Sequence, residues 1–301
     1  MKQKLLVIHW YIQPRDIMEL SPIEKFHLYE YKKYKLNDIF DKVDCCLSID
    51  DTTNIDLLTF CEENIRAVFG NKLTIHIQKN DKEYGEFHTY KKYVIDRLNL
   101  ENTMIFYCHF KGVSKKPGSN FKLSRFNWSK NMYHHCFSEE MLSNLYNYIL
   151  LFSLTVNAGW SWFDKNLWKF KSSEYEKFKK LKIKNNRNYP AGSFYWINTD
   201  KCREYLENNG YTLNVFNQIN YNLLRTTHVC EYLLASILPD NFKFYKYYDN
   251  KANRLSLLYC EYDDYEKELL NSKEQNTFTH SSGIKPKSKY VIVGNRLIRK
   301  K

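Results

Sequence analysis

Four short apolar runs, separated by segments with helical periodicity, organise the first 110 residues. The runs cover residues 5–11, 43–49, 72–78 and 104–108. The amphipathic segments between them include 56–66 and 88–98, and another begins at Ser21, which is followed by Pro22 and Glu24 as in a capping box. Alternation of strand and helix predicts an α/β fold whose central sheet is mostly parallel, with right-handed crossovers.

The second half of the chain has a less regular pattern. It predicts a helix over 125–148, a strand over 151–157, an exposed charged segment over 165–188, and a turn and strand over 189–198. A helix is expected from Thr199, and another, largely apolar, over 228–238. Residues 272–289 are polar and predict a linker before a short basic strand-like stretch over 290–301.

The fourth apolar run leads directly into His109, Lys111 and Gly112. Ligands of open α/β sheets bind at the carboxyl ends of the strands. In an extended chain His109 and Lys111 lie on one side, where two cations would suit a diphosphate leaving group. The alternative is a surface loop with an ordinary lysine and a packed histidine.

Three other segments carry candidate chemistry, each with a structural alternative. The small and aromatic residues over 191–196 could form the floor of a sugar pocket, although a core strand after a turn is the favoured interpretation. Glu231 is a lone acid in an apolar helix, suited either to general base catalysis or to a structural ion pair. Asp50 and Asp51 end the second run and indicate a turn, with ribose contact as the second interpretation.

Composition narrows the classes of protein. Aromatic residues make up 17% of the 301 residues and apolar residues 43%, which argues against disorder. The formal net charge of +12 suits an anionic partner or a lysine-rich solvated surface. Neither a GxGxxG nor a GxxxxGK[ST] loop occurs, which disfavours a dinucleotide enzyme or a P-loop NTPase. The eight scattered cysteines are expected to be buried thiols in a reducing compartment.

The order of these motifs resembles the GT-A-like glycosyltransferases of bacterial capsule, lipopolysaccharide O-antigen and rhamnan-type polysaccharide synthesis, which also occur in large DNA viruses. That family has an N-x-G-x-D-x-G-x-F stretch, Y-x-H-x-K-G at a strand end, H-x-x-G-N-F-W-W and an E-x-W-L helix. The corresponding residues here are 80–87, 107–112, 189–196 and 231–234. Ser193 stands where the family has Asn, and Tyr195 replaces a Trp.

The resemblance implies a GT-A-like domain over 1–270, with a nucleotide-binding half over 1–114 and an acceptor half over 115–270, followed by a basic extension over 271–301. Catalytic roles fall on Glu231, Lys111 and His109. His109 and Lys111 would replace the metal-binding Asp-x-Asp, so no divalent metal and no other cofactor is expected. The implied substrate-binding residues are His9, Tyr11, Asp50, Asn80, Gly85, Tyr107, Gly112, Gly192, Ser193, Phe194, Tyr195 and Trp196.

The resulting prediction is a cytoplasmic, inverting hexosyltransferase that uses a nucleotide sugar, UDP-linked, and a glycan or lipid-linked acceptor. The basic tail over 285–301 would contact an anionic inner membrane leaflet or form a solvated terminus. No nucleic-acid partner is expected. Two alternatives are a nucleic-acid-binding protein, favoured by the charge, and a non-catalytic carbohydrate-binding module, favoured by the aromatic segment.

Overall fold

The computed structural model describes residues 2–80, 86–110, 122–157, 188–190, 193–210, 212–214, 234, 242–248, 290–293 and 296–299. These residues form a mixed α/β fold built on an eight-stranded sheet. The helix predicted over 228–238 lies outside the described residues except for Leu234, and the segment predicted over 272–289 lies outside them entirely. The exposed segment predicted over 165–188 also lies outside them, except for Asn188, which begins a strand.

The first half of the sheet is entirely parallel, as its sequence pattern predicted. Its strands are β1 (Gln3–Ile12), β2 (Lys42–Ile49), β3 (Leu73–Lys79) and β4 (Thr103–His109), in the order β3-β2-β1-β4. Consecutive strands are joined through helical segments: α1 (Pro22–Lys33) and α2 (Leu36–Ile39), then α3 (Ile55–Phe69), then α4 (Phe87–Tyr93) with a 3₁₀ turn over Ile95–Arg97. The carboxyl ends of all four strands therefore meet at one edge, called here the carboxyl edge.

The second half of the sheet is mixed. β7 (Tyr195–Asn198) pairs antiparallel with β4 and with β5 (Leu150–Asn157), and β8 (Phe242–Tyr248) pairs in parallel with β5. β6 (Asn188–Pro190) also pairs antiparallel with β5. Because β8 runs along one side of β5 from its first residue to its seventh, β6 and β7 must share the other side.

β6 and β7 therefore form one interrupted strand. Leu150 pairs with Ile197 and Thr155 pairs with Pro190, so a step of five residues along β5 matches a step of seven on its neighbour. Since Tyr107 pairs with Tyr195, the first residue of β7 lies beside the carboxyl end of β4.

Alternation along each strand divides the core between the two faces of the sheet. Trp10, Phe106 and Trp196 face a large aromatic and aliphatic cluster that also contains residues of α1, α3 and α5 (Lys122–Cys136). The opposite face carries His9 and Tyr107 and is covered by α4, while α7 (Thr199–Asn208) contacts β4 and β7. The carboxyl edge of this second face is where the polar side chains gather.

Helix α1 begins as predicted. Ser21 is its N-cap residue, Pro22 its first residue, and Glu24 accepts a hydrogen bond from the Ser21 backbone N–H at 2.6 Å. The single helix predicted over 125–148 is wrong. α5 ends at Cys136, and a separate helix, α6 (Glu139–Ser143), starts at Ser138, whose side chain accepts from the Met141 N–H.

The six cysteines in the described part of the chain are free and buried, as expected from their apolar surroundings. The basic stretch near the end of the chain contains β9 (Tyr290–Val293) and β10 (Arg296–Arg299), which pair antiparallel with each other. Among the described helices, none has both the length and the apolar content that crossing a membrane requires.

Candidate functional site

The first polar group at the carboxyl edge is the Asp50 cluster, made of Tyr11, Asp50 and Asn80. The Tyr11 hydroxyl donates to Asp50 Oδ2 at 2.6 Å, and the Asn80 side-chain amide donates to Oδ1 at 2.8 Å. The backbone N–H of Asn80 also donates to the Ile49 carbonyl at 2.7 Å. These contacts join the ends of β1, β2 and β3 and hold one half-buried carboxylate in a fixed orientation.

Burial and the neighbouring Asp50 carboxylate both raise the pKa of Tyr11 far above its usual value. Tyr11 therefore stays protonated across the physiological pH range, and its hydroxyl donates a hydrogen bond to Asp50. The adjacent Asp51 behaves differently, because its side chain is 77% exposed and pairs with Lys79 at 2.8 Å on the surface. Of the two acids predicted to end the second strand, only Asp50 belongs to a built cluster.

The second polar group is the Glu86 cluster, made of Glu86, Tyr107, His109 and Ser193. Glu86 precedes α4, Tyr107 and His109 lie on β4, and Ser193 lies two residues before β7. The Tyr107 hydroxyl donates to Glu86 Oε2 at 2.8 Å, and the Ser193 hydroxyl donates to Oε1 at 3.0 Å. His109 Nδ1 lies 2.6 Å from Oε2, at ion-pair distance.

The Glu86 carboxyl is charged despite its burial. Removal from water would by itself raise its pKa, but the nearby imidazoles of His109 and His9 and the Tyr107 hydroxyl outweigh that effect and lower the pKa to about 2. Glu86 is therefore a buried carboxylate at any pH at which the protein would work.

Ser193 reaches Glu86 through an unusual backbone conformation. Its φ of +57° lies in the left-handed region, which costs a residue with a Cβ about 1 kcal/mol. In this conformation the Ser193 hydroxyl donates to the carboxylate. The residue predicted to line a sugar pocket thus has a defined partner in the structure, and that partner is an acid.

His9 stands beside the Glu86 cluster. It pairs in register with His109 across the parallel β1–β4 pair, so both rings lie on one face. Burial, reinforced by the charge of His109, lowers its pKa to about 4 even though Glu86 opposes this change. When His9 is neutral, its Nδ1 can accept a hydrogen bond from the Thr89 hydroxyl, which lies 2.8 Å away. The same hydroxyl accepts a hydrogen bond from the Gln78 side-chain amide at 2.8 Å.

The two clusters are neighbours on one face. His9 and Tyr11 are two residues apart on β1, roughly 7 Å along the strand, and point the same way. The structure therefore brings together seven of the residues predicted from sequence: His9, Tyr11, Asp50, Asn80, Tyr107, His109 and Ser193.

Three other predicted residues belong to the core instead. Phe194, Tyr195 and Trp196 are fully buried. Trp196 stacks on Phe40 at 5.2 Å between ring centres and donates its indole N–H to the Cys136 carbonyl at 3.0 Å. The prediction that these aromatics form a stacking floor is therefore corrected, because they present no surface to a sugar ring. The alternative, a core strand after a turn, accounts for them.

The remaining predicted residues, Gly85, Lys111, Gly112, Gly192 and Glu231, lie outside the described residues. Glu86 is the principal residue that sequence reasoning missed. An acid directly before an apolar-faced helix was its only local signal, because its partners are 21 to 107 residues away in the chain. Thr89 and Gln78 were missed for the same reason.

No group of three or more histidine, cysteine or acidic side chains within the described ranges is arranged to hold a metal ion. Neither a scan against protein-family models nor a search of curated proteins finds a match for this chain. Arguments about function therefore rest on the residues of the carboxyl edge.

Proposed function

We propose that the protein is a glycosyltransferase that transfers a hexose from a UDP-linked sugar to a cell-surface glycan or a lipid-linked acceptor. The observation that carries the proposal is the adjacency of the Asp50 and Glu86 clusters on one face of the carboxyl edge. Open α/β sheets bind ligands at this edge. The Asp50 cluster offers an oriented carboxylate for ribose hydroxyls, and the Glu86 cluster offers the imidazole of His109 for the reacting end of the donor.

The proposal includes inverting transfer without a divalent metal. One support is the resemblance of His109-x-Lys111 to the His-x-Lys segment that stands in place of the metal-binding Asp-x-Asp in the GT-A-like family. The other is the chemistry of Asp50 and Glu86. Both carboxylates are held by hydroxyl, amide or imidazole groups of the protein, an environment suited to hydrogen-bonding a sugar or ribose. Transfer that is lost in EDTA and restored by Mn²⁺ would overturn this part.

Binding of UDP and of a panel of UDP-hexoses, measured by calorimetry and thermal shift, tests the proposal directly. We expect saturable binding that raises the melting temperature. Asp50→Asn should weaken it by about tenfold, as expected for the loss of a hydrogen bond to a charged group.

Asp51→Asn is the matched control, because it removes an acid from the neighbouring position on the exposed surface. Its affinity should equal that of the wild type. Equal loss in both variants, or no saturable binding of any nucleotide sugar, would contradict the proposal. Salt-steep binding of oligonucleotides in place of nucleotide sugars would instead favour a nucleic-acid-binding protein.

A further inference from the structure

We propose that His109 and Glu86 form an acid–base dyad, in which His109 Nε2 accepts the proton of the acceptor hydroxyl and Glu86 positions the ring through Nδ1. This inference rests on the proposed function and deepens it. It changes the role expected for His109 from a counter-charge for the diphosphate to a group that moves a proton.

The geometry of the ring supports this assignment. Nδ1 of His109 is buried and lies 2.6 Å from Glu86 Oε2, an ion-pair contact that lacks hydrogen-bond geometry. The side chain as a whole is 14% exposed. A carboxylate this close to Nδ1 favours the tautomer that carries a proton there, which leaves Nε2 as the acceptor atom.

Glu86 is built to orient His109 without taking its proton. The hydroxyls of Tyr107 and Ser193 donate to its two oxygens, and the carboxyl stays ionised. When the ring gains a second proton at Nε2, the carboxylate stabilises the imidazolium by charge. Glu86 is thus a positioning residue, and His109 is the group that would touch the substrate.

The neighbouring histidine is poorly suited to the same role. His9 is a weaker base, because burial lowers its pKa to about 4, and its Nδ1 contacts the Thr89 hydroxyl. Among the described residues, the titratable groups that face His109 are Glu86 from the segment before α4, His9 from β1 and Tyr107 from β4 itself.

The proposed step balances as a single displacement. The acceptor oxygen forms a bond to the anomeric carbon of the donor as its proton passes to His109 Nε2. The bond from that carbon to the diphosphate oxygen breaks, and its electron pair leaves with the diphosphate. Protonated His109 paired with Glu86 is neutral overall, so the counter-charge for the diphosphate falls to other groups such as Lys111.

The first measurement needs no substrate. In ¹⁵N-labelled full-length protein, the His109 Nδ1–H should give a downfield proton resonance that exchanges slowly with water, as expected for an N–H that faces a buried carboxylate. The resonance should be absent in His109→Gln, which assigns it, and lost or strongly shifted in Glu86→Gln. A wild-type ring without a proton on Nδ1 would overturn the dyad.

The second measurement is the release of UDP from UDP-glucose and UDP-galactose, with water as the acceptor, as a function of pH. His109→Gln should lower kcat by about 10²–10⁴-fold with little change in KM for the donor, and should abolish the acidic limb of the kcat profile. Glu86→Gln should lower kcat less and change the pH profile, because the ring has lost the carboxylate that positions it.

Glu24→Gln is the matched control. Glu24 is also fully buried, accepts from the Trp10 indole at 3.0 Å and pairs with Arg15 at 2.8 Å, but it lies with the opposite face of the sheet. Glu24→Gln should lower the melting temperature and leave the pH profile of kcat unchanged. If His109→Gln and Glu86→Gln retain the wild-type pH profile, the dyad is wrong while the proposed function stands. If wild-type protein neither binds nor cleaves a UDP-hexose, both fail.

Discussion

His9 should make the folded protein sensitive to mild acid. Its pKa falls from 6.5 to about 4 on folding, chiefly because the ring is removed from water. Each pH unit of difference corresponds to about 1.4 kcal/mol, so full protonation costs the native state about 3 kcal/mol. This is a large share of the roughly 5–15 kcal/mol that stabilises a typical domain.

The sign of the change in stability with pH follows from the number of protons that each state binds. Between about pH 6.5 and about pH 4 the unfolded chain binds a proton at His9 that the folded protein does not, so stability falls as the pH falls through this interval. Glu86 acts in a lower interval, since its pKa falls from 4.5 to about 2 on folding, and its contribution is lost below about pH 4.5. His134 also has a lowered pKa and adds to the upper interval, so His9 must be isolated by substitution.

Urea denaturation followed by tryptophan fluorescence is the appropriate assay, because Trp10 and Trp196 are fully buried. Between about pH 7 and about pH 4.5, wild-type protein should lose about 2 kcal/mol more of its free energy of unfolding than His9→Asn. The asparagine amide can replace Nδ1 at Thr89 but does not titrate. Equal losses in the two proteins would refute the assignment of acid sensitivity to His9.

Two further predictions concern the stability of the sheet. The Asp44 side chain is 10% exposed and pairs with Arg97, so Asp44→Asn should lower the free energy of unfolding by about 1–3 kcal/mol. Asp51→Asn, on the exposed surface, should change it by less than about 0.5 kcal/mol. Similar denaturation midpoints for the two variants would contradict this contrast. Ser193→Ala and Ser193→Gly both remove the hydrogen bond to Glu86, but only glycine adopts the positive φ of this position without strain. Chemical denaturation should therefore find Ser193→Ala less stable than Ser193→Gly by about 1 kcal/mol.

Local pattern was sufficient for the parallel half of the fold. Each of its strands is a short apolar run and each crossover has helical periodicity, so both types of element are encoded within a few residues. The break between α5 and α6 was also encoded locally. Ser138 followed by Glu139 and Glu140 is an N-terminal helix signal, and it was overlooked because the apolar spacing continues across it.

The candidate site was predictable only in part. Strand ends placed His9, Asp50, Asn80 and His109 at one edge, because parallel strands share their carboxyl side. Glu86 could not be recognised, since its role depends on partners that are 21 to 107 residues away in the chain. The aromatic segment was ambiguous for a similar reason, because whether a ring packs or binds depends on which elements cover it.

The structure describes the segment that follows β4 as far as Phe110, and Lys111 lies outside the described residues. Phe110 stacks on Trp10 at 4.4 Å on the opposite face from His109, and its N–H donates to the His9 carbonyl at 3.0 Å, so the strand pairing extends past β4. Because Glu86 neutralises a protonated His109, His109 and Lys111 are electrostatically unequal. In the proposed reaction, Lys111 would therefore serve the charge of the diphosphate, and His109 the proton of the acceptor.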